Sequence, residues 1–193
     1  MRYTILDCYT EEASGLGVPP YLGTYPRYIY GQLVKEGHSV SYLTIDDVRL
    51  WRNYGGFRKE PSVKEKTNIL IYNLTLNDAQ DVLKNTDVLV VILGVHVPGK
   101  YLTALPGTLY EVIPLIRDLS MKKILTGPAL FGTQLEGGKA FEKQDLSIFD
   151  EVKDYTAEFK VVDTFAALGA GILTQIPDKR VIEIETGRGC NVG

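Results

Sequence analysis

The chain has 193 residues, 45% of them hydrophobic, with 21 Lys and Arg against 24 Asp and Glu for a net charge of −3. That is the size and composition of one globular domain with room for a buried core, and its slight acidity argues against a dedicated nucleic-acid or anionic-membrane binder. No apolar run approaches the roughly 18 residues of a spanning helix, and Met1-Arg2-Tyr3-Thr4-Ile5-Leu6-Asp7 lacks the apolar stretch of a secretory signal, so the expectation is a cytoplasmic protein. Cys8 and Cys190 sit at opposite ends of the chain, which leaves a disulfide framework unsupported.

Tyr3 to Asp7 reads as a short strand that runs into a polar and then Gly/Pro-rich loop ending Leu16-Gly17-Val18-Pro19-Pro20. From Tyr25 to Lys35 the apolar positions Tyr28, Ile29, Leu33 and Val34 recur at three- and four-residue spacing, which predicts a helix stopped by Gly37. Val40, Tyr42, Leu43 and Ile45 form a second strand ending at Asp46-Asp47, completing a βαβ unit. Arg49 to Lys59 mixes cations with aromatics. Its start reads as helical and its end as loop, and the plain expectation is a solvated insertion whose Trp51 packs on the domain. Ile69 to Tyr72 reads as a short extra strand and Asp78 to Lys84 as a short helix. Asp87 to Gly94 is a continuous Val/Ile/Leu run bounded by polar residues and glycine, the pattern of a strand covered on both faces. A loop from Val95 to Gly107 leads to a helix from Thr108 to Leu119 that contains Pro114. Lys122 to Thr126 is a further strand, closed by Gly127-Pro128 and followed by the Gly-rich 132–138. Phe159 to Leu168 reads as a helix, and Arg180 to Thr186 alternates apolar and polar residues as a half-exposed strand does.

Alternating strands and helices with buried strands imply an α/β fold with a doubly wound, mostly parallel sheet. Ligands on such sheets bind at the carboxyl ends of the strands, so the loops after Asp7, Gly94 and Thr126 carry the candidate site. Gly15-x-Gly17 and Asp46 are no dinucleotide fingerprint, because Val18-Pro19-Pro20 interrupts where the helix must begin and Gly23 is misplaced. A Gly-x-x-x-x-Gly-Lys-Ser/Thr phosphate loop is absent as well. His38, between helix and strand, reads as a capping or solvated residue. His96 lies past a buried strand, where it is a candidate ligand or acid/base group, with a loop hydrogen bond as the plainer account. Neither histidine has metal-ligand spacing to other Cys, His or Asp residues.

The most specific stretch is Glu183-Ile184-Glu185-Thr186-Gly187-Arg188-Gly189-Cys190. It resembles the entry to a radical S-adenosylmethionine domain, in which a strand leads through Thr-x-Arg-Gly-Cys into the cluster motif Cys-x-x-x-Cys-x-x-Cys. Cys190-Asn191-Val192-Gly193 would be the first cysteine and its spacer, with the other two cysteines beyond Gly193. At the front, Gly17-Val18-Pro19-Pro20 and then Pro26-Arg27-Tyr28-Ile29-Tyr30-Gly31-Gln32-Leu33-Val34-Lys35-Glu36-Gly37-His38-Ser39-Val40 resemble the Pro-Pro, helix, Gly-His-x-Val signature of the cobalamin-binding domains that precede such domains. The Asp-x-His-x-x-Gly motif of many cobalamin domains is absent after the first strand. Gly94-Val95-His96-Val97-Pro98-Gly99 holds its His-x-x-Gly half after the wrong strand and without the acid.

The resemblance implies a Rossmann-like or flavodoxin-like cobalamin-binding domain over residues 1–178 and the start of a radical S-adenosylmethionine domain over 179–193. Cobalamin would lie against the strand ends on Gly17, Val18, Pro19 and Pro20, on Gly94, Val95 and His96, and on Gly127, Pro128 and Ala129. For each of these the plainer reading is ordinary turn formation. Cys190 would be the first ligand of a [4Fe–4S] cluster that works with S-adenosylmethionine in the parent protein, and the chain by itself would catalyse nothing. Cobalamin in such a parent would carry a methyl group to an unactivated carbon, and the partner of the domain would be the radical S-adenosylmethionine domain of the same chain. Two other classes of function stay open. One is a cofactor-free docking module that presents Arg49, Trp51, Arg52 and Tyr54 to a macromolecule. The other is a free-standing nucleotide-dependent oxidoreductase, which the broken glycine pattern disfavours.

Overall fold

The computed structural model describes residues 1–8, 21–53, 74–94, 107–131, 145–177, 181–182, 184 and 186. The predicted extra strand at 69–72, most of the Gly/Pro-rich loop, the end of the Arg49 to Lys59 segment and the Cys190 stretch lie outside them.

Strand β1 (Arg2–Asp7) is the first element, followed by a two-residue strand β2 (Tyr21–Leu22) and helix α1 (Thr24–Lys35). Gly37 then takes φ +83, the left-handed conformation that lets the chain leave the helix and turn into β3 (Ser39–Thr44). The second strand ends one residue earlier than its hydrophobic run suggests. Ile45, Asp46 and Asp47 already belong to α2 (Ile45–Asn53), whose first turn gains from the two carboxylates beside its free N–H groups. Asp78 caps α3 (Ala79–Lys84) by accepting a hydrogen bond from the Asp81 N–H. β4 (Val88–Ile92), α4 (Leu109–Ile116), β5 (Lys122–Thr126), β6 (Glu151–Val152), α5 (Val162–Gly169) and β7 (Val181–Ile182) complete the order. Pro114 lies inside α4 as predicted, and Thr108 caps that helix through the Glu111 N–H.

Five strands form one sheet in the order β3-β1-β4-β5-β6, and every pair is parallel. Taken by their sequence within this sheet, the order is 2-1-3-4-5, so the winding reverses between β1 and β4. The fold is therefore a doubly wound α/β sheet, as the alternation of elements predicts. β4 is buried at all five positions, which only coverage of both faces permits. One face carries Leu6, Leu43, Leu89, Val91 and Leu125 against α2, α3 and α4 through Val48, Leu83, Val112 and Ile116. The other carries Ile5, Val40, Tyr42, Val88, Val90 and Ile124 against Ile29, Tyr30 and Leu33 of α1 and Ile172 of a 3-10 turn (Ala170–Gln175). Full burial of each such side chain contributes about 1.5–3 kcal/mol. α5 lies on α1, close enough that a Cβ on Gly31 would sit 2.0 Å from the Phe165 carbonyl oxygen and one on Gly169 2.1 Å from that of Arg27.

The alternating stretch at 180–186 does not extend this sheet. Its described part, β7, pairs in parallel with β2 as a separate two-stranded ribbon. Two residues of β6 occupy the outer position instead, in a segment whose sequence shows no strand period.

The exposed edge strand β3 is closed by side-chain amides. Gln175 accepts from the Tyr42 N–H at 2.8 Å and donates to the Val40 carbonyl at 3.1 Å, while the Asn77 amide donates to the Tyr42 carbonyl at 2.9 Å. Three backbone groups that would otherwise template another strand are thereby satisfied. Replacing Gln175 by Ala leaves the Tyr42 N–H and Val40 carbonyl without these partners. The expected result is a loss of about 1–3 kcal/mol in urea unfolding together with faster aggregation on heating.

Candidate functional site

The strand ends at the reversal point form one row across the sheet. By register Thr44 of β3 is opposite Asp7 of β1, Asp7 is opposite Ile92 of β4, and Ile92 is opposite Thr126 of β5. Asp7 is 3% exposed, and Thr44, Ile92 and Thr126 are fully buried. Three of the four strands thus end on a polar side chain, and each of these groups is engaged. The Tyr42 hydroxyl donates to an Asp7 carboxylate oxygen at 2.8 Å, and the Tyr25 hydroxyl lies 2.9 Å from Thr126 Oγ1.

Past this row the chain segments are stitched by main-chain bonds. The Cys8 N–H donates to the Ile92 carbonyl, the Leu93 N–H to that of Thr126, the Ala129 N–H to that of Leu93, and the Gly107 N–H to that of Cys8. The first residues after β1, β4 and β5 and the residue before the cap of α4 are therefore tied together along one edge.

Of the predicted contact residues, Gly94, Gly127, Pro128 and Ala129 lie on the described edge. Gly17, Val18, Pro19, Pro20, Val95, His96 and Cys190 lie outside the described residues. Gly94 is buried with φ +125 and places bare main chain at the end of the central strand. Gly127 has φ +101, and a Cβ there would lie 2.5 Å from the Leu93 carbonyl oxygen, so protein already fills the space beside it. Pro128 opens a 3-10 turn, and Ala129 closes it onto Leu93. At Gly127 and Ala129 the turn-forming account describes what the residues do.

The groups that sequence reasoning passed over surround this edge. Arg49 is 9% exposed, and its guanidinium donates twice to Glu111 at 2.7 Å and once to Asp46 at 3.0 Å. Burial pulls its pKa down, and the two carboxylates outweigh that, so the group is held cationic more firmly than usual. This fork clamps the first turn of α2 to the first turn of α4, and Arg49 is not presented to solvent. Arg52 lies 3.8 Å over the Trp51 ring and pairs with Asp118, while Trp51 packs on the core as the plain reading expected. His38 stacks on Tyr3 at 4.6 Å and lies 3.7 Å from Glu36, a local surface role. Cys8 is a free, fully buried thiol whose pKa burial pushes up. No group of three or more His, Cys, Asp or Glu residues suited to a metal ion exists among the described residues.

Asp47 holds the chain that returns from 54–73. One carboxylate oxygen accepts from the Thr44 N–H and hydroxyl at 2.8 and 3.2 Å, and the other accepts from the Thr75 N–H at 2.9 Å. Burial nevertheless pushes its pKa up to about 6, because those hydrogen bonds only partly offset desolvation. The sequence signal for these groups was present as a polar residue ending β1, β3 and β5 and as acids opening α2 and α4. Which of them meet depends on strand order, which no local pattern encodes.

Fold and edge together define the class as a Rossmann-like, doubly wound parallel domain with the flavodoxin-like strand order. No protein-family model matches the chain, and no solved structure does. The chain is similar to two archaeal proteins, both described only as uncharacterized. One, from Methanocaldococcus jannaschii, is 34% identical over 216 aligned residues that cover 98% of this chain and 35% of its own length. The other, from Archaeoglobus fulgidus, is 34% identical over 205 residues that cover 100% of this chain and 33% of its own length. The chain thus spans about a third of the length of the curated relatives it matches. Among the described residues no helix is long and apolar enough to cross a membrane.

Two measurements probe this edge. Gly127→Ala forces a side chain into left-handed backbone against the Leu93 carbonyl, and it is expected to cost at least about 2 kcal/mol in urea unfolding. Asp47 takes up its proton near pH 6 when folded and near pH 4 when unfolded, so its protonation stabilises the fold fully below pH 4. That stability fades as pH rises through 6, a change of about 3 kcal/mol. Asp87, held near 2 by Arg2 when folded and titrating near pH 4 when unfolded, offsets part of this slope at the pH 4 end and adds none above about pH 5. Unfolding free energies at intervals from pH 4 to 7 should therefore fall with pH in the natural chain and run flatter in Asp47→Asn.

Proposed function

We propose that the chain is a cobalamin-binding-like domain of a radical S-adenosylmethionine protein, and that a corrin lies on the edge formed by the ends of β1, β4 and β5. The observation that carries this reading is the reversal point between β1 and β4, where a buried glycine, Gly94, follows the central strand and supplies main chain without a side chain. α2 opens with Asp46 and Asp47, and α4 carries Glu111 in its first turn, so neither of these N-termini attracts a phosphate, whereas α1, the helix after β1, opens without an acid. Main chain and small residues at the described part of the edge are in keeping with a broad, flat ligand. The length of the two relatives, about three times that of the aligned segment, is in keeping with a domain that works beside a larger catalytic part.

In this reading Gly94 allows close approach, the Leu93–Ala129 and Cys8–Gly107 main-chain bonds keep the edge rigid, and the Asp7–Tyr42 pair sets its floor. Gly17 to Pro20, Val95 and His96 would complete the contacts. The chain's own work would be to bind, orient and exclude water. Cobalamin, when bound, supplies a cobalt centre able to carry a methyl group. Cys190 would be one of the thiolate ligands of the [4Fe–4S] cluster that acts on S-adenosylmethionine, and the partner domain would follow in the same polypeptide.

Titration with hydroxocobalamin, followed by visible absorbance and calorimetry, tests the reading. Saturable binding near micromolar Kd, about −8 kcal/mol, is expected. It should weaken at least about tenfold in Gly94→Asn, a substitution chosen because Asn tolerates left-handed backbone best among residues with a side chain. Absence of binding, or equal binding by a Gly94→Asn chain that folds normally, would overturn the reading.

A further inference from the structure

The segment from Tyr21 to Tyr25 joins two parts of the molecule that otherwise have no reason to move together. Leu22 is 2% exposed and sits in the core with Ile5, Ile29 and Tyr30, which fixes β2 against the sheet. β2 is in turn the strand with which β7 pairs, Tyr21 opposite Val181 and Leu22 opposite Ile182. β7 is the last strand before the stretch that runs to Cys190. Three residues past Leu22, the Tyr25 side chain leaves the first turn of α1, a helix that packs on β1 and β3, and its hydroxyl meets Thr126 at the end of β5, two strands from β1. The same phenol oxygen is held by backbone groups of Tyr155 and Gly127. One end of this short strap is therefore bonded to the edge at which the turn after β5 begins, and the other end carries the strand by which the chain departs.

We propose that Tyr25 is a positioning residue that couples the ligand-bearing edge of the sheet to the outgoing segment through the β2–β7 ribbon. A ligand seated on the ends of β4 and β5 braces Thr126 and Gly127, Tyr25 carries that restraint to the strap, and the strap holds β7. Coupling of this kind is reciprocal, so ordering the outgoing segment tightens the ligand by the same factor. Local opening of a two-residue ribbon is a low-energy event compared with opening of β4, which makes the ribbon a sensitive place to read the coupling. The ligand half of the proposal rests on the cobalamin reading; the link from Thr126 to β7 does not.

Hydrogen exchange read by mass spectrometry on the 193-residue chain separates the two. Tyr25→Phe removes the hydroxyl and keeps the ring, and Thr126→Val removes its partner at similar volume. Each is expected to speed exchange of the peptides covering 21–22 and 181–182 by about fivefold or more, the low end of measured coupling factors, while peptides from β4 stay unchanged. The double variant should go no further than either single one. Unchanged exchange at 181–182, or a uniform rise that includes β4, overturns the proposal. Hydroxocobalamin added to the natural chain should slow exchange at 181–182 and fail to do so in Tyr25→Phe, an effect that a merely structural hydrogen bond would not produce. Binding without that protection overturns the coupling. If hydroxocobalamin does not bind at all, the cobalamin reading falls, and the ligand-free comparison alone decides whether Tyr25 links the edge to β7.

Discussion

Five consecutive buried apolar residues in β4 impose the architecture on the rest of the chain. A strand with Val and Ile side chains on both faces and Leu89 among them cannot leave either face to water, so helices must be found for each. The chain meets this with α1 and the Ala170–Gln175 turn on one side and with α2, α3 and α4 on the other. Placing β1 beside β4 then forces the winding to reverse between them, because the β1–α1–β3 unit is laid in one direction and everything after β3 in the other. The carboxyl ends of β1 and β4 meet at that reversal, with α1 packed on one face of the sheet and α4 on the other.

How that edge is closed says as much about chemistry as its location. Carbonyls and N–H groups that a strand leaves unpaired at its end are here exchanged between successive loops, from Cys8 to Ile92 and Gly107, and from Leu93 to Thr126 and Ala129. Glycine appears where such an exchange brings main chains too close for a side chain, as at Gly127. Around the rim, the Arg49 guanidinium lies between the carboxylates of Asp46 and Glu111, two acids on one cation. A buried guanidinium stripped of either partner would be costly, so this fork acts as a fixed brace between α2 and α4. The result is an edge whose described segments are tied to one another by main-chain bonds.

Much of the fold was legible in the sequence. The 3.6-residue recurrence of Tyr28, Ile29, Leu33 and Val34 placed α1, the uninterrupted Asp87 to Gly94 run placed β4, and Thr108 before an apolar helix marked the start of α4. Each is a local pattern, because the period of side chains along an element follows directly from its backbone geometry. The errors had physical causes too. Ile45 is apolar and buried in either state, so a hydrophobic pattern could not tell the last residue of a strand from the first of a helix. The alternation at 180–186 is what any half-covered strand shows, and it does not specify a partner, so only the folded chain assigns Val181–Ile182 to β2. β6 is too short to have a period at all.

The candidate site divides along the same line. The sequence by itself determined the alternation of strands and helices and pointed to the loops after Asp7, Gly94 and Thr126 as the candidate site, because alternating elements admit few parallel arrangements and glycine marks where the backbone must bend or come close. Tertiary structure alone decided that Gly94 is buried at the reversal point with φ +125 and that Gly127 is committed to Leu93. It alone set Arg49 between Asp46 and Glu111, joined Tyr42 to Asp7, and brought Tyr25 to Thr126. Those pairings connect residues 35, 62 and 101 positions apart. Such meetings are set by strand order and helix packing, which arise from the collective burial of many side chains and leave no mark on the spacing of any one stretch of sequence.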